Sequence, residues 1–170
     1  MSTTLYLMLG FPGAGKTSAA KIISKISGAE HIWADFERRK IHGTPTYTQS
    51  ENDELYHSLN NKTRQLLESG KSVIYDTAFN HQKDREKMRD LAHRLKVKTI
   101  IVWVKVPKSV ARERAQNIGN HLETRLLGSM TDEQFDHLIK KLEQPHADEK
   151  VIELDGLKLT EKYIKTKLKI

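Results

Sequence analysis

The sequence predicts an α/β domain of three layers, a five-stranded parallel sheet with helices on both faces and a small helical lid. Three observations predict it. Short apolar runs bounded by turn residues alternate with helical stretches along the whole chain, which calls for a parallel sheet covered on both sides. The strand runs are continuously apolar rather than alternating, as strands buried on both faces are. The chain has 170 residues, 37% hydrophobic and 30% charged, which fits a single domain over 1–170 with a true core.

Each element has a local reason. Leu5 to Leu9 is an apolar run ending in glycine and reads as the first strand. Lys16 to Ser27 follows, with Ala19, Ala20, Ile22, Ile23 and Ile26 at helical spacing, stopped by Gly28. His31 to Asp35 reads as the second strand. Ser50 and Asp53 resemble a capping box for a long helix carrying Leu55, Leu59, Leu66 and Leu67, closed by Gly70. Ser72 to Asp76 is the third strand, and Lys83 to Leu95 a helix with Met88, Leu91, Ala92 and Leu95 on one side. Thr99 to Val106 is the fourth strand, ended by Pro107. Ser109 to Asn117 is a short helix, and Thr131 with Gln134 caps another that runs to about Glu143. Val151 to Leu154 is the fifth strand, and Thr160 caps a last helix. The segments 38–49 and 116–130 have weak periodicity and read as loops over a site.

Composition narrows the function classes. The absence of cysteine excludes disulfides, thiolate metal sites and a cysteine nucleophile, and is compatible with the cytoplasm. The longest apolar run, Thr99 to Val104, falls far short of a membrane span, and the N-terminus lacks the pattern of a signal peptide. The expectation is a cytoplasmic protein with no membrane partner. The net charge of +7 favours polyanions, although a solvated basic surface would look the same. No protein partner is readable.

The most specific motif is "GFPGAGKT". Gly10, Gly15, Lys16 and Thr17 match G-x-x-x-x-G-K-[ST], between a strand and a helix. Glycines let successive backbone N–H groups turn inward onto phosphate oxygens, and the following helix adds its positive end. Gly10, Gly13, Ala14, Gly15, Lys16, Thr17 and Ser18 are therefore expected to hold a nucleoside triphosphate, with the Thr17 hydroxyl on Mg²⁺. The alternative is an ordinary glycine-rich turn. The D-x-x-G and N-K-x-D elements of a small GTPase are not found: "NKTR" at Asn61 to Arg64 lacks the aspartate. That elimination leaves phosphoryl transfer to an acceptor.

Ligands of open α/β sheets bind at the carboxyl ends of the strands. Asp35 in "IWADFERRK" and Asp76 in "VIYDTAFN" are expected there. Such a carboxylate can take a proton from an acceptor hydroxyl or organise Mg²⁺. Arg38 stands three residues after Asp35, so one helical turn would align them. A helix cap is the structural alternative for Asp35. The eight histidines show no zinc-helix spacing, and His42, His81 and His121 lie in segments that could face the site. Tyr47 and Phe79 could stack on a base or anchor loops.

"LMLGFPGAGKTSAA", "WADFERR", "VIYDTAFNHQKDREKM" and "VPKSVARERAQN" together resemble the P-loop kinases grouped with bacteriophage-type polynucleotide 5′-kinase, zeta-toxin-like kinases and chloramphenicol phosphotransferase, an AAA-type ATP-binding kinase domain. The resemblance covers roughly residues 4 to 146. It implies the P-loop NTPase fold, ATP and Mg²⁺ as cofactors, and transfer of the γ-phosphate to a hydroxyl. It implies that Asp35 is the general base, that Arg38 binds a phosphate on the acceptor, and that Asp76 sits near the metal. The lid, at about 114–130, departs from the R-N-x-x-R pattern of polynucleotide kinases. "RAQNI" keeps Arg114 but places Ile118 where the last arginine belongs, and Arg125 is the substitute from further along. Lys16, Arg114 and Arg125 join Asp35 and Arg38 as expected catalytic residues. The acceptor expected from the charge and the resemblance is the 5′-hydroxyl of a nucleic acid. The alternatives are a small hydroxylated molecule (antibiotic, sugar or nucleoside) and an ATP-binding switch with slow hydrolysis.

Overall fold

The computed structural model describes residues 3–44, 46–117 and 129–170. Five strands and seven helices alternate among them: β1 (Thr4–Leu9), α1 (Lys16–Ser27), β2 (Glu30–Trp33), α2 (Ala34–His42), α3 (Gln49–Glu68), β3 (Val73–Asp76), α4 (Gln82–Arg94), β4 (Lys98–Lys105), α5 (Lys108–Gln116), α6 (Asp132–Lys140), β5 (Val151–Asp155) and α7 (Glu161–Leu168). The strands form one sheet in the order β2-β3-β1-β4-β5, every pairing parallel. This is the parallel α/β fold that the alternation predicts, and it is consistent with the P-loop NTPase fold that the resemblance implies.

Strand alternation builds two cores. Leu5, Leu7 and Leu9 of β1 face Leu55, Leu59 and Leu67 of α3 and Met88 and Ala92 of α4. Tyr6 and Met8 face the opposite side, where Ala19, Ala20 and Ile23 of α1 meet Ile164 and Leu168 of α7. β1 is buried at every position, as a central parallel strand must be. A third cluster, Ala111, Ala115 and Phe135, joins α5 to α6.

Several boundaries differ from the sequence reading. β2 ends at Trp33, so Asp35 lies in the first turn of α2 rather than at the end of a strand. The segment from Arg38 is helical as far as His42, not a loop; its polar composition hides a helix that buries only Ala34 and Arg38. The cap of α3 is Thr48, whose side chain accepts from the Glu51 backbone N–H, and not the Ser50–Asp53 pair. Gly70 takes φ +79° just past α3, as expected of a left-handed helix end. Thr131 and Gln134 form the reciprocal capping box of α6, and Thr160 caps α7. The lid is only partly described: Ile118, His121 and Arg125 lie outside the described residues.

Candidate active site

The carboxyl edge of the sheet assembles the site. The strand order puts Asp76 on the strand beside β1 and Asp35 just beyond the strand after it. Register aligns these ends: Leu7 lies opposite Tyr75, and Trp33 opposite Asp76.

Between β1 and α1 the glycine-rich loop folds into a cradle. Gly10, Gly13 and Gly15 have φ of +145°, +80° and +102°, conformations a side chain disfavours. Space is as restrictive as the backbone. A Cβ on Gly10 would come 2.4 Å from the Val104 carbonyl oxygen, and one on Gly13 2.2 Å from that of Ala111. The loop is thus pressed onto β4 and α5. Lys16 folds back across it, its Nζ donating to the carbonyls of Gly10 and Phe11 at 2.9 Å each. Gly15 is the N-cap of α1 and offers no side-chain acceptor to its first turn, the helix end whose dipole favours an anion. Ala14 is buried, whereas Thr17 and Ser18 are half-buried in that turn.

Asp76 is 3% exposed, and its Oδ2 lies 3.0 Å from His31 Nε2 on β2. Asp35, on α2, is half-buried. Thr17 and Asp76 supply a hydroxyl and a buried carboxylate, all-oxygen donors that fit Mg²⁺, which leans on substrate phosphates for the rest. Among the described residues no group of three or more His, Cys, Asp or Glu could hold a metal on its own. No described helix is long and apolar enough to cross a membrane.

Arg38 stands one turn beyond Asp35 but is buried, and its Nη1 donates to Glu51 Oε1 at 3.1 Å. Its guanidinium also lies 5.1 Å from the Tyr47 ring centre. Glu51 Oε2 accepts from the Thr46 hydroxyl and backbone N–H at 2.7 and 2.8 Å, and from the Tyr47 N–H at 3.1 Å. These bonds, the Thr46 hydroxyl foremost, hold the Glu51 carboxyl down at about 2. Tyr47 has φ +57° and is 51% exposed. Partial burial first, and the nearby Asp35 carboxylate second, push its hydroxyl up from the usual tyrosine value. On the other side, Tyr56 OH lies 3.2 Å from the Thr77 hydroxyl, next to Asp76.

Arg114 on α5 donates through Nη1 to the Gly156 carbonyl at 3.3 Å. Arg112 is bonded to both Asp132 and Asp136 of α6. Phe79 is buried with its ring edge-on to Tyr75, so it is a core residue rather than a stacking platform. His81 faces Glu143 at 3.4 Å.

Four positions that the motifs do not flag hold these residues and their loops in place. His31 holds Asp76. Glu51 holds Arg38. Arg85, fully buried on α4, donates Nε and Nη2 to the Glu149 carboxylate at 2.9 and 3.1 Å. The same guanidinium binds the carbonyls of Phe79 and Asn80, which fixes the loop after Asp76. These pairs are 45, 13 and 64 residues apart in sequence, which is why no local pattern reports them.

A family model described as an AAA domain matches residues 5–145. No curated protein matches the chain. Among solved structures, a sugar kinase from Janibacter sp. HTCC2649 superposes with a TM-score of 0.68 at 20% identity, covering 100% of this chain and 96% of that one. The Mycobacterium tuberculosis APS kinase CysC, in complex with AMPPNP and APS, gives 0.66 at 14% identity over 99% and 96%. A chain of the Pnkp1/Rnl/Hen1 RNA repair complex gives 0.69 at 15% identity over 83% of this chain and 44% of that one. At such identities the likeness speaks for the fold.

Proposed function

The chain belongs to the AAA domain family that its residues 5–145 match, and from that premise we infer that it is an ATP-dependent kinase that phosphorylates an acceptor hydroxyl. The observation that carries this reading is the phosphate cradle, with its positive-φ glycines and folded-back Lys16, on the same sheet edge as Asp35 and Asp76. The kinase folds it resembles, one of them binding AMPPNP, support the choice.

The roles follow from chemistry. The loop N–H groups and the α1 terminus hold the β- and γ-phosphates, and Lys16 moves from the Gly10 and Phe11 carbonyls onto phosphate oxygens. Thr17 and Asp76 would hold Mg²⁺, which when bound neutralises phosphate charge. Asp35 accepts the proton as the acceptor oxygen bonds to the γ-phosphorus and the bond to the ADP oxygen breaks. His31 keeps the Asp76 carboxylate oriented. Arg114, whose Nη1 donates to the Gly156 carbonyl, and Arg125 are the arginines we propose for the transferring phosphate.

Two acceptors fit this centre. A nucleic-acid 5′ end brings a phosphodiester on the same sugar as its hydroxyl, and the net charge of +7 favours it. A small hydroxylated molecule brings none. The test is transfer of labelled γ-phosphate from ATP to a panel of both kinds. Transfer to any acceptor supports the kinase. Slow phosphate release with no acceptor labelled supports a nucleotide switch instead.

A further inference from the structure

We propose that Glu51 withholds Arg38 from the acceptor, so that the hydroxyl phosphorylated beside Asp35 belongs to a molecule with no phosphate next to it. This narrows the kinase reading and rests on it. Arg38 stands three residues after Asp35 on α2, where a guanidinium could receive an acceptor phosphate. Its side chain is only 6% exposed, however, and that of Glu51 5%. Glu51 takes Arg38 on one oxygen and three donors from Thr46 and Tyr47 on the other. His42 adds a further favourable interaction with the carboxylate.

The energetics oppose any sharing of Arg38. Handing it to a substrate phosphate would strand a buried carboxylate without its cation, the costly half of breaking a buried pair. The incoming phosphate would also meet Glu51, an anion that stays charged at any working pH. What the α2–α3 side of the site offers in place of Arg38 is ring surface. Tyr47 covers Arg38 beside Asp35 and is half exposed, while Tyr56, 37% exposed, is anchored on Thr77. Rings of this kind pack against the face of a sugar or a nucleoside. The matching acceptor is an uncharged, ring-bearing alcohol.

The direct test is a titration of ¹⁵N-labelled protein, saturated with Mg²⁺ and AMPPNP, with inorganic phosphate. The Arg38 Nε–H resonance, assigned by its loss in Arg38→Lys, is the readout. In the native chain it stays in place. In Glu51→Gln it moves, with half-saturation at least about tenfold lower. A native chain that responds as readily as the variant overturns the proposal, and so does a variant that responds no better than the native chain. If Glu51→Gln does not fold, the native chain's own response to phosphate and its choice between the acceptor pairs below decide the proposal. Matched acceptor pairs, a nucleoside with its 3′-monophosphate and a sugar with its phosphate, give the second readout. The neutral member should be phosphorylated at least about tenfold better in kcat/KM. Preference for the charged member, or for a 5′-hydroxyl oligonucleotide, overturns it. If no acceptor is labelled while AMPPNP still binds, the kinase reading fails, and the phosphate titration still decides the role of Glu51.

Discussion

At the scale of residues, Asp35 on Arg38's own helix and Glu51 bonded to Arg38 are both carboxylates, yet their surroundings differ. Asp35 is half-buried and faces Tyr47, while Glu51 is buried and saturated with donors. Asp35→Asn keeps the shape and removes the proposed proton acceptor, so transfer should fall by about 10²–10⁴-fold with ATP affinity unchanged. Glu51 makes a different, pH-linked prediction. Its carboxyl is lowered from an ordinary 4.5 to about 2 in the folded chain. The stability it contributes is therefore complete above the ordinary value and drains away as pH falls from there through about 2. The thermal midpoint of the native chain should exceed that of Glu51→Gln at pH 7, and the gap should close across that acid window. A gap that persists at the acid end would place the stabilisation outside this carboxylate. Asp35, Asp76 and Lys16 were legible in the sequence because each stands in a local motif. Glu51, His31 and Glu149 were not, since each is defined by a partner brought near only by folding.

Among the elements, the turn after β5 shows how a distant segment supports the cradle. A Cβ on Gly156 would come 2.2 Å from the Ala14 carbonyl oxygen and 2.6 Å from Val106 Cγ1. Gly156→Ala should cost about 1–3 kcal/mol of stability and also raise the Kd for ATP, because the nearest displaced atom, the Ala14 carbonyl oxygen, belongs to the phosphate loop. Gly28, at φ +70° with nothing within 4 Å, is the control: Gly28→Ala should cost about 1–2 kcal/mol and leave ATP affinity alone. Equal effects on ATP affinity would contradict the packing account. The Arg85–Glu149 pair ties α4 to the segment before β5, with both side chains wholly buried. Glu149→Gln should lower stability by about 3–5 kcal/mol in denaturant unfolding, since it leaves the guanidinium buried without its counterion. The sheet and most helices were readable from apolar periodicity. α2 was not, because a helix whose buried face is an alanine and an arginine carries no apolar stripe.

For the molecule as a whole, the basic excess lies in two stretches, 83–98 and 158–170, whereas 35–51, which holds Asp35, Arg38 and Glu51, has as many acids as bases. Lys25, Lys62, Lys71, Lys105 and Arg89 each meet a carboxylate, and Lys165 and Lys167 fall in the last turn of α7, at its negative end. Acceptor KM should therefore change little between low and physiological salt, where binding through 6–10 nucleic-acid phosphates would weaken by about 10³–10⁵-fold. A steep salt dependence would return the nucleic-acid end to first place. The central claim is hydroxyl phosphorylation with Asp35 as the base. Its most direct test is transfer of the labelled γ-phosphate of ATP, with Mg²⁺, to the acceptor panel by the native chain and by Asp35→Asn side by side. Label on an acceptor with the native chain, nearly lost in a variant that still binds ATP, is the predicted result; equal transfer by both would contradict it.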